Sequence, residues 1–204
     1  MERLFPMFVK LADRQVLVVG GGAVGEAKIR GLLDTGAQIR VVALQANQAV
    51  HDWADGGIIA LEERAFGPAD LDGAFLVVAA TSSPEVNELI FGEAQSRGIL
   101  CNVVDVPELC DFFYPAVVRR GDLQIAISTA GQSPLLAQRI RKRLEQQFGP
   151  EYAEWLAHLG ELRREVLSSD LPMDRKRELL RSLTSQDQFS FACGRTGSES
   201  EEEQ

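Results

Sequence analysis

Val16-Leu17-Val18-Val19-Gly20-Gly21-Gly22-Ala23-Val24-Gly25 is the stretch whose reading decides the fold. A short, mostly β-branched run ends in glycines and turns at once into a helical pattern. The glycines at 20, 22 and 25 spell G-x-G-x-x-G between a strand and a helix, the context in which that motif carries meaning. Gly20 would allow the tight turn, Gly22 would let the backbone approach a pyrophosphate, and Gly25 would let the helix lie close on the strand. The helix start at Ala23 and Val24 would offer free N–H groups and a positive dipole to phosphate. A glycine-rich turn that binds nothing is the other reading, and the strand–turn–helix setting favours dinucleotide binding.

Working outward, the pattern alternates. A helix is expected over residues 23–35, stopped by Gly36, and a second strand over 39–44. A short helix over 48–54 closes at Gly56-Gly57 before a third strand over 58–61. The apolar run over 75–80 reads as a strand buried on both faces of a parallel sheet. A helix over 84–97, with Pro84 in its first turn, leads to a fifth strand over 99–104. This is an α/β chain, a Rossmann-like parallel sheet built from βαβ units. Ligands then belong at the carboxyl ends of the strands, after Val19, Leu44, Ala80 and Val104. The pattern changes near Tyr114. Two strands, at 117–118 and 123–128, flank the turn Arg119-Arg120-Gly121-Asp122. Ser133-Pro134 reads as N-cap and first-turn proline of a helix. Further helices are expected over 152–167 and 174–183. The expected organisation is a dinucleotide-binding domain over 1–113, a strand-containing dimerisation region over 114–148, a helical domain over 149–190 and a disordered acidic tail over 191–204.

Composition narrows the function classes. The chain has 204 residues, 45% of them hydrophobic and 25% charged, as ordinary globular proteins do. Its net charge of -9 argues against general nucleic-acid binding. No apolar run approaches the roughly eighteen residues of a membrane span. Charges at Glu2, Arg3 and Lys10 break any secretory pattern, so a cytoplasmic protein is expected. Cys101, Cys110 and Cys193 form no Cys-x-x-Cys pair, and with His51 and His158 the only histidines a structural zinc site is not expected.

The acid that binds ribose hydroxyls usually stands about 20 residues beyond the glycine turn. Here the second strand ends Val42-Ala43-Leu44-Gln45, so Leu44 backbone and the Gln45 amide are the available substitutes. No arginine immediately follows that strand to hold a 2′-phosphate, which favours NAD. Neither Tyr114 nor Tyr152 has a lysine four residues on, which excludes tyrosine–lysine dehydrogenase chemistry. At a strand's carboxyl end stands Asp105. It could accept a proton while a hydride leaves the same substrate, or it could cap the turn before Pro107.

At these residues the sequence resembles the precorrin-2 dehydrogenase/sirohydrochlorin ferrochelatase family, the module found in siroheme synthases. The resemblance runs from about Leu4 to Leu183. It rests on Phe5-Pro6-Met7-Phe8, the glycine turn with Ala27-Lys28, Ala79-Ala80-Thr81 with Val86-Asn87, Asn102-Val103-Val104-Asp105 with Cys110-Asp111-Phe112, and Ala126-Ile127-Ser128-Thr129-Ala130-Gly131 with Ser133-Pro134. It implies NAD-dependent oxidation of precorrin-2 to sirohydrochlorin, then Fe²⁺ insertion in many members. It implies that Asp105 is the key residue of both reactions, as proton acceptor and as a guide for the metal. Cofactor contacts fall on Ala23, Val24, Leu44, Gln45 and Thr81, beside the glycines. A homodimer is implied too. A tetrapyrrole ringed by carboxylates makes Arg119, Arg120, Arg139, Ser128 and Thr129 candidate substrate contacts, though a solvated face accounts for most basic residues here. The third motif glycine is often alanine in the family, so Gly25 reads as a harmless departure. The chain shows no counterpart of the methyltransferase domain of the larger synthases, so synthesis of precorrin-2 itself is not expected of it. The alternatives are a chelatase only, for iron or cobalt, and a dinucleotide or tetrapyrrole sensor without turnover.

Overall fold

The structure is a computed structural model that describes residues 3–184. Cys193, the expected tail over 191–204 and the end of the expected helical domain lie outside the described residues. Two compact units meet in sequence at Tyr114 and Pro115.

The first unit is a parallel sheet. Its strands are β1 (Gln15–Gly21), β2 (Gln38–Ala46), β3 (Ala60–Glu63), β4 (Leu76–Ala79) and β5 (Leu100–Val103), in the order β3-β2-β1-β4-β5. Helices α1 (Ala23–Arg30), α2 (Gln48–Asp55) and α3 (Pro84–Arg97) make three of the four crossovers, and a 3₁₀ turn (Pro68–Leu71) lies in the connection from β3 to β4. Alternation along β1 sorts the core. Val16 and Val18 pack with Ile29 of α1 and Val50 of α2 on one face. Leu17 and Val19 pack with Ile90 and Ala94 of α3 on the other. Both faces of β1 and β4 are therefore covered, as their unbroken apolar sequence requires. The strand order reverses between β1 and β4, and that switch point places a crevice at the carboxyl edge.

Two expected boundaries shift. The helix expected over 23–35 stops at Arg30. Gly31 weakens its continuation, and Leu33–Thr35 tightens into a 3₁₀ turn before Gly36 at φ 72°. The third strand begins at Ala60, not 58. The Ile58 and Ile59 N–H groups both bond the Trp53 carbonyl at the end of α2, which delays entry into the sheet.

In the second unit, β6 (Ala116–Arg120) and β7 (Leu123–Ile127) form an antiparallel hairpin. Arg120 pairs Leu123 across a two-residue loop with Gly121 at φ 54°. Helix α4 (Pro134–Gln147) starts as its sequence requires, with Ser133 Oγ accepting the Leu136 N–H at 3.2 Å. Helices α5 (Glu151–Ser168) and α6 (Met173–Ser182) follow.

Candidate active site

The glycine turn is built as the motif requires, with one reassignment. Gly20 has φ 117°, and a Cβ there would collide with the Ala80 carbonyl. A Cβ at Gly21 would press on Ala46 Cα at 2.9 Å, so this glycine lets the end of β1 close on β2. A Cβ at Gly25 would collide with the Gly20 carbonyl. Gly25 is therefore required by this backbone, where the start of α1 lies close on the end of β1. Gly22 is different: it has extended backbone, and a Cβ there would meet nothing within 4 Å. The fold does not demand glycine at that position, so the space is left for something else. Gly22 is also the N-cap of α1 and has no side chain to cap it, so the first-turn N–H groups of the helix face outward for an anion.

That space is part of a cavity of about 760 Å³ along the carboxyl ends of the strands. Of the sequence candidates, Gly20, Gly22, Ala23, Val24, Leu44, Gln45, Thr81 and Asp105 all line it, while Gly25 supports it from behind. Leu44 is 77% exposed, a large apolar side chain held open on the cavity wall. Thr81 presents its surface, but its hydroxyl serves the loop after β4. Thr81 Oγ1 donates to Asn87 Oδ1 at 2.8 Å and accepts the Ser83 N–H at 3.2 Å. Asn87 Nδ2 returns a bond to the Thr81 carbonyl at 3.2 Å. These residues fit a dinucleotide: a helix N-terminus for pyrophosphate, a notch a Cβ would fill, and an apolar wall for a base.

Asp105 is the only carboxylate among the described lining residues. It sits at φ 63°, a left-handed conformation that aspartate tolerates better than most residues. The segment after it holds that turn. The Cys110 thiol lies 3.1 Å from the Val103 carbonyl and 3.2 Å from the Val106 carbonyl, spanning the turn on both sides of Asp105. Burial pushes that thiol above its usual range, which keeps it a donor. Asp111 accepts the Cys101 N–H at 2.8 Å and a Gln95 amide bond at 2.8 Å. Asn102 Nδ2 donates to the Phe112 carbonyl at 2.7 Å. The Cys110-Asp111-Phe112 stretch thus clasps the Asp105 turn onto β5. Lys28 completes the setting. Its ammonium lies 4.1 Å from the centre of the Tyr114 ring, burial lowers its pKa, and the Asp105 carboxylate opposes that shift.

Sequence reading missed Arg64. It lines the cavity with Phe66 from beyond β3, because the strand carries its chain end two residues later than the sequence pattern implied. Arg64 and Arg40 share the buried Asp70, which accepts Arg64 Nη2 at 2.6 Å and Arg40 Nη1 at 3.0 Å. The Arg64 guanidinium holds the Asp70 carboxyl well below the usual carboxylate range, against the effect of burial.

The remaining candidates lie in the second unit. Arg120 has another task there. Its Nε donates to the Phe148 carbonyl at 2.7 Å and its Nη2 to the Glu145 carbonyl at 3.0 Å, so it clasps the C-terminus of α4. Arg119 and Arg139 are exposed. Ser128 Oγ accepts the Ala130 N–H at 3.1 Å and Thr129 Oγ1 accepts the Ser133 N–H at 3.2 Å, shaping the loop into α4.

Fold and site together define a Rossmann-type dinucleotide-binding protein. Residues 7–116 match a family described as NAD(P)-binding, and residues 120–147 match one described as sirohaem biosynthesis protein central. The chain is 40% identical over 173 residues to siroheme synthase 1 of Aeromonas hydrophila, covering 84% of this chain and 37% of that protein. It is 39% identical over 186 residues to siroheme synthase of Citrobacter koseri, covering 91% and 40%. The chain therefore spans about two-fifths of the length of these relatives. Among solved structures it is similar to SirC, precorrin-2 dehydrogenase, with a TM-score of 0.79 and 30% identity, over 91% of this chain and 92% of that one. The chain belongs to the precorrin-2 dehydrogenase/sirohydrochlorin ferrochelatase family.

Proposed function

We propose that the chain is an NAD-dependent dehydrogenase that oxidises precorrin-2 to sirohydrochlorin. One observation carries the reading: a single cavity joins the phosphate-binding turn to one carboxylate, Asp105, on the opposite side of the switch point. When bound, NAD⁺ supplies the hydride acceptor. The first-turn N–H groups of α1 would hold its pyrophosphate, Gly22 would give it room, and Leu44 and Gln45 would hold its adenosine ribose. Asp105 takes the proton that the macrocycle releases as the hydride leaves, so precorrin-2 and NAD⁺ give sirohydrochlorin, NADH and H⁺. The Cys110 thiol fixes the carboxylate's turn, and Lys28 stands nearby as a positive charge.

Fe²⁺ insertion into the product follows at the same carboxylate. Among the described residues no group of three or more His, Cys, Asp or Glu could hold a metal. The macrocycle's own nitrogens therefore supply the ligands, and Asp105 receives the protons they lose. The reading includes a cytoplasmic homodimer. It is supported by the free thiols Cys101 and Cys110, and by the two-stranded β6–β7 sheet, whose outer edges a second copy would pair. No helix among the described residues is long and apolar enough to cross a membrane. The test is anaerobic absorbance of the purified chain with precorrin-2 and NAD⁺. NADH and the sirohydrochlorin spectrum rise together if the reading is right, and Fe²⁺ added to the same cuvette then gives siroheme. NAD⁺ binding without NADH formation would leave the chelatase or the sensor.

A further inference from the structure

Arg64 is a cavity-lining cation with no role in the chemistry above. Each of its five N–H donors is engaged. Nε donates to Glu62 at 3.0 Å, Nη1 to the Ala65 carbonyl at 3.0 Å and to Asp70 at 2.8 Å, and Nη2 to Glu62 at 2.7 Å and to Asp70 at 2.6 Å. A guanidinium so engaged has no edge left with which to grip a phosphate. Yet its side chain is 43% exposed and lines the cavity, so what it offers is its planar face. Arginine in this state stacks on aromatic rings. The charge of the cluster also cancels, with Arg64 and Arg40 set against Glu62 and Asp70.

The position of Arg64 says which ring it meets. In an open parallel sheet a dinucleotide lies across the carboxyl ends of the strands, with its pyrophosphate at the first βα turn. Asp105, after β5, marks the reacting end. The adenosine end then falls over β2 and β3, where Leu44, Arg64 and Phe66 line the cavity. We propose that the face of Arg64 is the plate on which the adenine stacks, and that the neutral cluster behind it gives a 2′-phosphate no counter-charge, so that the site selects NAD over NADP. This rests on the dinucleotide reading above and names the residue that sets its cofactor preference. It also accounts for a site with no ribose-binding acid at the end of β2: selection comes from the absence of a free cation.

The test is titration calorimetry of the full chain with NAD⁺, NADP⁺ and nicotinamide mononucleotide, a probe that lacks adenine. Arg64→Lys keeps the charge and removes the plane. It should weaken NAD⁺ roughly five- to thirty-fold and leave the mononucleotide unchanged. Glu62→Gln, at a half-exposed side chain, releases guanidinium edges and leaves the cluster net positive. It should raise affinity for NADP⁺ relative to NAD⁺ several-fold, a change that a merely structural role would not produce and that can be read even where Arg64→Lys folds poorly. NAD⁺ affinity unaltered in folded Arg64→Lys would overturn the proposal. So would an unaltered NADP⁺/NAD⁺ ratio in Glu62→Gln, or a wild-type preference for NADP⁺ that Arg64→Lys abolishes. A folded wild-type chain that binds neither dinucleotide would overturn the dinucleotide reading itself.

Discussion

Gly22→Asp should move stability and cofactor affinity in opposite directions. Gly22 is the N-cap of α1 with φ -80° and ψ -172°, backbone that any residue adopts. A Cβ there touches nothing in the protein. Aspartate is a preferred N-cap, and its carboxylate would accept a first-turn N–H that now has no side-chain partner. Its charge also faces the positive end of the helix dipole, for a combined gain of about 0.3–1 kcal/mol. For a chain of this size that raises the melting temperature by roughly 1–4 °C. The same carboxylate occupies the pyrophosphate position. One charge about 5 Å from a phosphate, at an effective dielectric of about 20, adds about 3 kcal/mol of repulsion, or roughly a hundredfold in affinity. Thermal unfolding and calorimetric titration with NAD⁺ on the same preparation read both effects. Wild-type affinity in the variant would show that the pyrophosphate lies elsewhere. A loss of many degrees would show that the turn does not have this geometry.

Two further outcomes follow from the site. Asp105→Asn keeps a residue type that accepts the left-handed conformation, so NAD⁺ affinity and melting temperature should hold while precorrin-2 oxidation falls by about 10²–10⁴. A rate near wild type would remove Asp105 as the proton acceptor. Asp70→Asn leaves Arg40 and Arg64 facing an amide donor inside the fold, at a cost of about 3 kcal/mol or roughly 6–12 °C. The folded-state pKa of Asp70 is depressed, so its contribution is present above the ordinary carboxylate range and is lost as pH falls through the folded value. The gap between wild type and variant, read from Trp53 fluorescence in a Trp155→Phe background, should stay constant from pH 5 to 8 and narrow below about pH 4. A gap that is independent of pH would show that the carboxylate's charge is not what holds the two arginines.

Much of the first unit was legible in the chain. The order of strands and helices and the span of α3 follow from local residues, as does the Ser133 cap in the second unit: apolar runs, a proline in a first turn, a serine before it. Boundaries were less legible where two weak preferences compete. Gly31 ends α1 early, though Leu32 and Leu33 continue its apolar stripe. The strand β3 starts late because the Trp53 carbonyl, five and six residues back at the end of α2, captures the Ile58 and Ile59 N–H groups. Arg64 was not legible because the end of the third strand was not among the expected ligand positions, and only the observed span of β3 brings Arg64 to the cavity.

The glycine turn, the parallel sheet and the strand-end Asp105 were determined by the sequence alone, because each depends on residues adjacent in the chain or on a periodicity that packing must respect. Three things were decided only by the tertiary structure. Gly22 differs from Gly20, Gly21 and Gly25 because its surroundings are empty, and emptiness is a property of neighbours brought from other strands. Cys110 became a clasp for Asp105 because its thiol folds back onto carbonyls four and seven residues away. Arg64 became a plate because Glu62, Ala65 and Asp70 together occupy every edge of its guanidinium. A side chain's remaining hydrogen-bonding capacity is fixed by the full set of partners that surround it, and no local pattern in the chain records that set.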